Sequence, residues 1–232
     1  GQEYECSWEA ATPGAVYARQ VEAARLEGRI RRVVWEPAIP VDTYWDLGFT
    51  DATAIIFAQR IGREVHVLEY LENSGEDLAW YARALQQRSY LYGTHYLPHD
   101  AAQTELGSGK SLEEQLRALG LRHLHVLGAS DVMHGINEAR LVFPRVFFDA
   151  EHAGRLIDVL AAYRAEWDED KAAFKAKPRH DWSSHGADAY RYMAISLKGD
   201  SGLRGPMLTP TPPSVGVDFK PLTYQKRKPI GV

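Results

Sequence analysis

The sequence predicts an α/β domain in which a mixed sheet carries helices on both faces. Between Val41 and Glu72 three strand-like segments follow one another through tight turns, and from Glu76 to Phe143 helical and strand-like segments alternate. Strands joined by short turns pair antiparallel, whereas strands separated by helices join in parallel. The composition agrees: 232 residues, 45% hydrophobic and 25% charged, are enough to bury a large core.

Residues 13–29 begin with Pro-Gly and place Val16, Gln20, Ala23 and Ala24 at helical spacing. Pro37 and Pro40 interrupt the chain, and the period then becomes strand-like. VDTYWDLG (41–48) sets Tyr44 and Asp46 on one face and Trp45 and Leu47 on the other. TAIIFAQ (53–59) reads as a buried strand, and a turn at Ile61–Arg63 leads into EVHVLEYLE (64–72). Residues 76–88 form an amphipathic helix, and THYLPHD (94–100) is a short strand with Pro98 near its end. Ser111 and Glu114 make a capping box for a helix to about Gly120, and HLHVL (123–127) is a strand. Residues 131–143 are helical. So are residues 152–167, where Leu156, Leu160, Tyr163 and Trp167 recur on one face. The last helix covers 184–198. From Gly199 on, prolines and basic residues describe an extended, disordered tail.

No window holds the apolar run of a membrane span, and the N-terminus does not read as a secretory signal. The lone Cys6 excludes an internal disulfide framework and fits a reducing compartment. A net charge of −4 argues mildly against a surface that grips nucleic acid everywhere, although an acidic site can coexist with basic loops.

Three aspartates carry the chemical interest. Asp46 lies in a segment otherwise fit for burial, where a carboxylate either turns the chain with Gly48 or takes a cationic partner. Asp100 ends a neighbouring strand, as a solvated residue or as a ligand at the rim where sites assemble. Asp188 lies one helical turn after His185, on an arc shared with Tyr192 and Ile195, while Arg191 and Lys198 mark the wet side. Its alternative is a first-turn acid favoured by the helix dipole. Three carboxylates and one imidazole at a common point suit Mg2+ or Mn2+, and paired ions suit displacement at phosphorus. Asp51, beyond the Gly48 turn, is either a further acidic contact or a turn residue. Gly107-Ser-Gly-Lys-Ser111 is not a nucleotide-binding loop, because Thr104 stands where the first glycine is required. Lys110 instead fits a phosphate-backbone contact, and Lys175, Lys177 and Arg179 lead a basic run toward the last helix.

Three segments together resemble a known family: WDLGFTDAT (45–53), YLPHDA with GSGKSLEEQL (96–116), and KPRHDWSSHGADAYRY (177–192). They are similar to the C-terminal nuclease domain of the large terminase subunit of tailed double-stranded DNA phages, over roughly residues 1–198. The S-H-x-A-D-A-x-R helix is the most specific of them. The resemblance implies an RNase H-like fold and a metal-dependent endonuclease that cuts double-stranded phage DNA during genome packaging. It assigns Asp46, Asp100 and Asp188 as ligands of two Mg2+ or Mn2+ ions, places His185 at the metals, and puts Asp51 near them. It implies residues 1–40 as a helix and linker leaving an ATPase domain, 41–198 as the nuclease, and 199–232 as a flexible basic tail. The implied partners are DNA, the terminase ATPase domain, the small terminase subunit and the portal, in host cytoplasm and without a membrane. Low sequence specificity is expected, because no recognition module is visible. The rivals are a non-catalytic DNA- or portal-docking module and a metal-dependent phosphatase.

Overall fold

A computed structural model describes residues 14–48, 52–104, 109–168 and 173–199. Cys6, Asp51, Gly107 and the tail from residue 200 lie outside the described residues. The chain runs α1 (Ala18–Leu26), β1 (Ile30–Arg31), β2 (Val41–Asp46), β3 (Ala52–Ile61), β4 (Glu64–Ser74), α2 (Leu78–Gln86), β5 (Tyr92–Leu97) and α3 (Leu112–Ala118). It continues through β6 (Leu124–Val126), α4 (Val132–Val142), β7 (Val146–Asp149), α5 (Gly154–Ala162), β8 (Ala165–Asp168), β9 (Ala173–Pro178) and α6 (Ser184–Gly199).

Seven strands form one sheet in the order β1-β7-β4-β3-β2-β5-β6. The meander β2-β3-β4 is antiparallel, as its short turns require, and every other pairing is parallel. Side-chain alternation divides the core. Tyr44, Ala54 and Ile56 face α1, α4, α5 and α6, while Trp45, Ile55 and Phe57 face α2 and α3. β2 and β3 are thus covered on both sides, which explains their long apolar runs. Among the described residues no helix is long and apolar enough to cross a membrane.

The expected helix over 152–167 stops at Ala162. Leu156, Leu160 and Tyr163 do face the core, but Tyr163 turns extended and its carbonyl accepts from Val16 N at 2.9 Å. Trp167 therefore falls in the β8–β9 hairpin, 45% exposed and edge-on to Phe174. Strand β7 escapes sequence patterning because it has four residues, set between a Pro144-containing turn and a second turn.

Residues 14–40, part of the segment expected as a helix and linker, pack into this domain. Tyr17, Val21 and Ala24 lie in the core, β1 extends the sheet beside β7, and buried Arg29 donates to the carbonyls of Phe143 and Val146. Asp149 locks the same edge by accepting from Val33 N at 2.8 Å, Glu151 N at 3.1 Å and His152 N at 2.8 Å. Burial alone would raise its pKa, but these bonds outweigh burial and hold the carboxyl below its ordinary value. A depressed folded pKa gives stability that is present above the unfolded pKa and lost as pH falls through the folded one. Asp149→Ala is expected to cost about 3 kcal/mol at pH 7. Urea unfolding of both proteins checks this, and the gap should narrow below about pH 4.

Candidate active site

Asp46 closes β2 at the rim of the sheet. Its Cα partner on β3 is Ala54, whose partner on β4 is Glu72, so the three residues form one row on the α6 face. Helix α6 crosses this face and brings its first turn down on Asp46. The entrance of α6 is fixed by Asp181, which accepts from Ser183 N at 2.9 Å and Ser183 Oγ at 2.6 Å, while Asp181 N donates to Ser184 Oγ at 2.8 Å. The polar run Asp-Trp-Ser-Ser therefore sets the position of the residue after it. His185 Nδ1 lies 2.9 Å from Asp46 Oδ2, a contact across 139 residues.

Asp188 follows one turn later on the same arc. Arg191 Nε and Nη2 donate to its Oδ1 at 3.2 and 3.0 Å. Arg191 is not on the wet side of α6, as the helical wheel suggested, but is 5% exposed. Gly135 of α4 makes the room: a Cβ there would stand 2.5 Å from Arg191 Cγ, so only glycine admits the stem. Lys198 does reach the surface, where it pairs with Glu138. Gly186 plays a similar part beneath the first turn, since a Cβ would lie 2.5 Å from the Tyr70 hydroxyl and 2.9 Å from Val159 Cγ1. Gly186→Ala is expected to destabilise the fold by about 1–3 kcal/mol through overpacking, read as a lowered melting temperature.

Burial pushes the Asp46 carboxyl above its ordinary pKa. The His185 hydrogen bond opposes that rise, and the Asp188 charge adds to it. Asp46, His185 and Asp188 therefore form one electrostatic cluster, with Arg191 as its buried cation.

Asp100 is not the end of a strand but sits exposed in a 3-10 turn over His99–Ala102, after β5 ends at Leu97. Because Tyr44 pairs with Tyr96, that turn emerges at the same rim as Asp46. Lys110 is exposed on the opposite face of the sheet and lines a cleft of about 550 Å³ with Gly48, Thr53, Leu78 and Leu119. Lys175 pairs with Glu166 at 2.9 Å and Arg179 lies 3.9 Å from Asp181, both at the surface. Lys177 falls within β9, and its side chain, like Asp51, lies outside what is described. From β9 the chain reaches α6 through His180, whose ring meets that of His185 edge-on at 5.6 Å.

Sequence reading missed Arg191, Arg155 and Glu72. Arg191 closes the S-H-x-A-D-A-x-R motif and Glu72 stands two residues beyond Tyr70 on a strand whose alternation faces the core, whereas Arg155 left no signal.

Two carboxylates and an imidazole are donors suited to Mg2+ or Mn2+. Arg191 bonds to Oδ1 of Asp188 and His185 to Oδ2 of Asp46. As the side chains stand, no three His, Cys, Asp or Glu among the described residues are placed to hold a metal ion together. The donor chemistry fits a divalent ion, whereas the present hydrogen bonds close the donors in pairs.

No family profile matches the sequence, and no curated protein matches it. Solved structures do. The large terminase of a thermophilic bacteriophage, in complex with ADP, superposes with a TM-score of 0.60 at 16% identity, covering 77% of this chain and 44% of that one. The chain thus spans less than half the length of that terminase. The P22 large terminase nuclease domain matches with a TM-score of 0.56 at 17% identity, over 74% of this chain and 89% of that one. The large terminase nuclease of the thermophilic phage G20c, with bound magnesium, gives 0.53 at 15% identity over 80% and 97%. The fold is therefore that of large-terminase nuclease domains, an RNase H-like mixed sheet, as the sequence resemblance implied.

Proposed function

We propose that this chain is the nuclease domain of a phage terminase large subunit, a divalent-metal-dependent endonuclease that cuts double-stranded DNA during genome packaging. The observation that carries the reading is Asp46: a largely buried carboxylate with a raised pKa at the sheet rim, bonded to His185, which lies one helical turn before Asp188. A carboxylate kept in such surroundings calls for a cation. The solved nuclease with the same fold that holds magnesium, and one from bacteriophage SPP1 that holds manganese, support the choice of ion.

Asp46, Asp188 and His185 would hold the metal, with Asp100 joining from the neighbouring turn and Asp51 nearby. Two Mg2+ or Mn2+ ions, when bound, would activate a water for in-line attack and neutralise the leaving oxygen, giving 3′-hydroxyl and 5′-phosphate ends. The protein's own residues prepare the site. His185 fixes one oxygen of Asp46, Arg191 fixes one oxygen of Asp188, and α6 shields both from bulk water. Lys110, Lys175, Lys177 and Arg179 would contact the phosphate backbone without reading bases, consistent with low sequence specificity. The ATPase domain, small terminase subunit and portal would then select where and when cutting occurs in host cytoplasm.

Supercoiled plasmid incubated with the protein in EDTA, Mg2+ and Mn2+ tests this directly. Nicking and linearisation are expected only with metal, and Asp188→Asn should remove them. Phosphomonoester hydrolysis without plasmid cutting would make the protein a phosphatase. A folded, DNA-binding protein that cuts nothing in any arm would make it a docking module.

A further inference from the structure

The row that begins at Asp46 ends at another acid. Asp46, Ala54 and Glu72 sit opposite one another on three adjacent strands, so Asp46 and Glu72 share the α6 face two strand spacings apart, about 10 Å between Cα atoms. Only the methyl group of Ala54 stands between them. The Glu72 side chain is 16% exposed, and Arg155 Nε of α5 donates to its Oε2 at 3.1 Å. The Arg155 guanidinium also lies 4.4 Å over the ring of Trp182, and both residues are about half exposed just outside the entrance of α6.

A second observation points into the gap. Tyr70 is 8% exposed and its hydroxyl makes no hydrogen bond among the described residues, although it lies against Gly186, next to His185. It stands close enough to Glu72 and Asp46 to feel both charges. A buried hydroxyl with no bond of good geometry, beside the Glu72 carboxylate and near that of Asp46, marks polar space shared by the two acids.

We infer that Glu72 is a further carboxylate of the metal centre, held away from it by Arg155 until a phosphodiester draws the guanidinium off. This rests on the metal-nuclease reading of the same site. A half-exposed arginine that lies over an indole and bonds to a carboxylate through Nε has other N–H groups with which a phosphate oxygen can compete. Once released, Glu72 turns along the row over Ala54 toward Asp46 and can accept the Tyr70 hydroxyl. The same latch fits the pairwise closure of the site, where Arg155, Arg191 and His185 each bond to one acid.

Calorimetric titration of Mn2+ in the absence of DNA tests this with Glu72→Gln, Arg155→Gln and the double variant, each checked for folding by thermal melting. Arg155→Gln should tighten Mn2+ binding about fivefold by removing the competitor. Glu72→Gln in that background should abolish the gain. Arg155→Lys, which keeps the charge but not the guanidinium over Trp182, should give a smaller gain in the same direction. Unchanged binding in Arg155→Gln, or a gain that persists in the double variant as a simple loss of positive charge, overturns the inference. Asp46→Asn separates the two readings. If Mn2+ binding ignores Asp46, the metal centre itself is misplaced; if it depends on Asp46 but not on Glu72, only the latch is wrong.

Discussion

Replacing Asp46 with asparagine is expected to lower the proposed metal-dependent DNA cleavage at least about a thousandfold, as for one member of a catalytic unit, and not to lower the melting temperature at pH 7. The two halves of this result have one cause. Burial holds the Asp46 carboxyl above its ordinary pKa in the folded protein, against the pull of His185. A carboxylate whose folded pKa is raised costs the fold stability at any pH where it is ionised, and that cost disappears below its unfolded pKa. Asparagine keeps the shape and a hydrogen-bonding oxygen for His185 but carries no charge. The melting temperature should rise by a few degrees at pH 7, since about 1 kcal/mol moves a domain of this size by 2–4 °C. The advantage should vanish as the pH approaches about 4, where aspartate itself becomes neutral. Calorimetric melting and plasmid nicking on the same preparations check both halves. A lower melting temperature would mean that Asp46 holds the fold and not a ligand.

Arg191→Leu has the largest expected effect on stability. Arg191 is buried in the groove above Gly135, and its partner Asp188 is itself mostly covered. Removing one partner of a buried pair leaves the other charge uncompensated, at a cost of about 3–5 kcal/mol. Leucine fills part of the groove, which places the loss near the lower figure. The same change takes a positive charge away from the carboxylates, so Mn2+ should bind more tightly to whatever fraction is folded. Urea unfolding and Mn2+ titration read the two effects, which have opposite signs. A variant as stable as the parent would show that Arg191 is not the counter-charge of Asp188.

How much of this was legible beforehand follows from what each residue needed. The β2-β3-β4 meander could be read because its strands are long, its turns are short and both faces are buried. Tyr44 with Asp46, and Trp45 opposite them, fell on the faces that the pleat dictates. Asp188 and His185 could be paired because three residues make nearly one helical turn. Arg191 was misplaced for the same reason that Asp188 was found. A helical wheel ranks directions on one helix, and the groove that buries Arg191 belongs to Gly135 on another helix, 56 positions away in the sequence. Trp167 continued the apolar period of Leu156 and Leu160, yet the helix ended where Tyr163 met the backbone of Val16. Glu72 and Arg155 were illegible because their importance lies in register across the sheet and in a contact between strand and helix. Local spacing puts Glu72 on the face of Tyr70 but marks neither that register nor that contact.

Asp46 and Asp188, distant in sequence, are proposed to hold a divalent ion together. Titrating Mn2+ into the protein and into Asp46→Asn and Asp188→Ala measures it most directly. Saturable binding that both substitutions weaken together is the predicted result. Binding that neither substitution alters, or no binding with DNA present or absent, would contradict it.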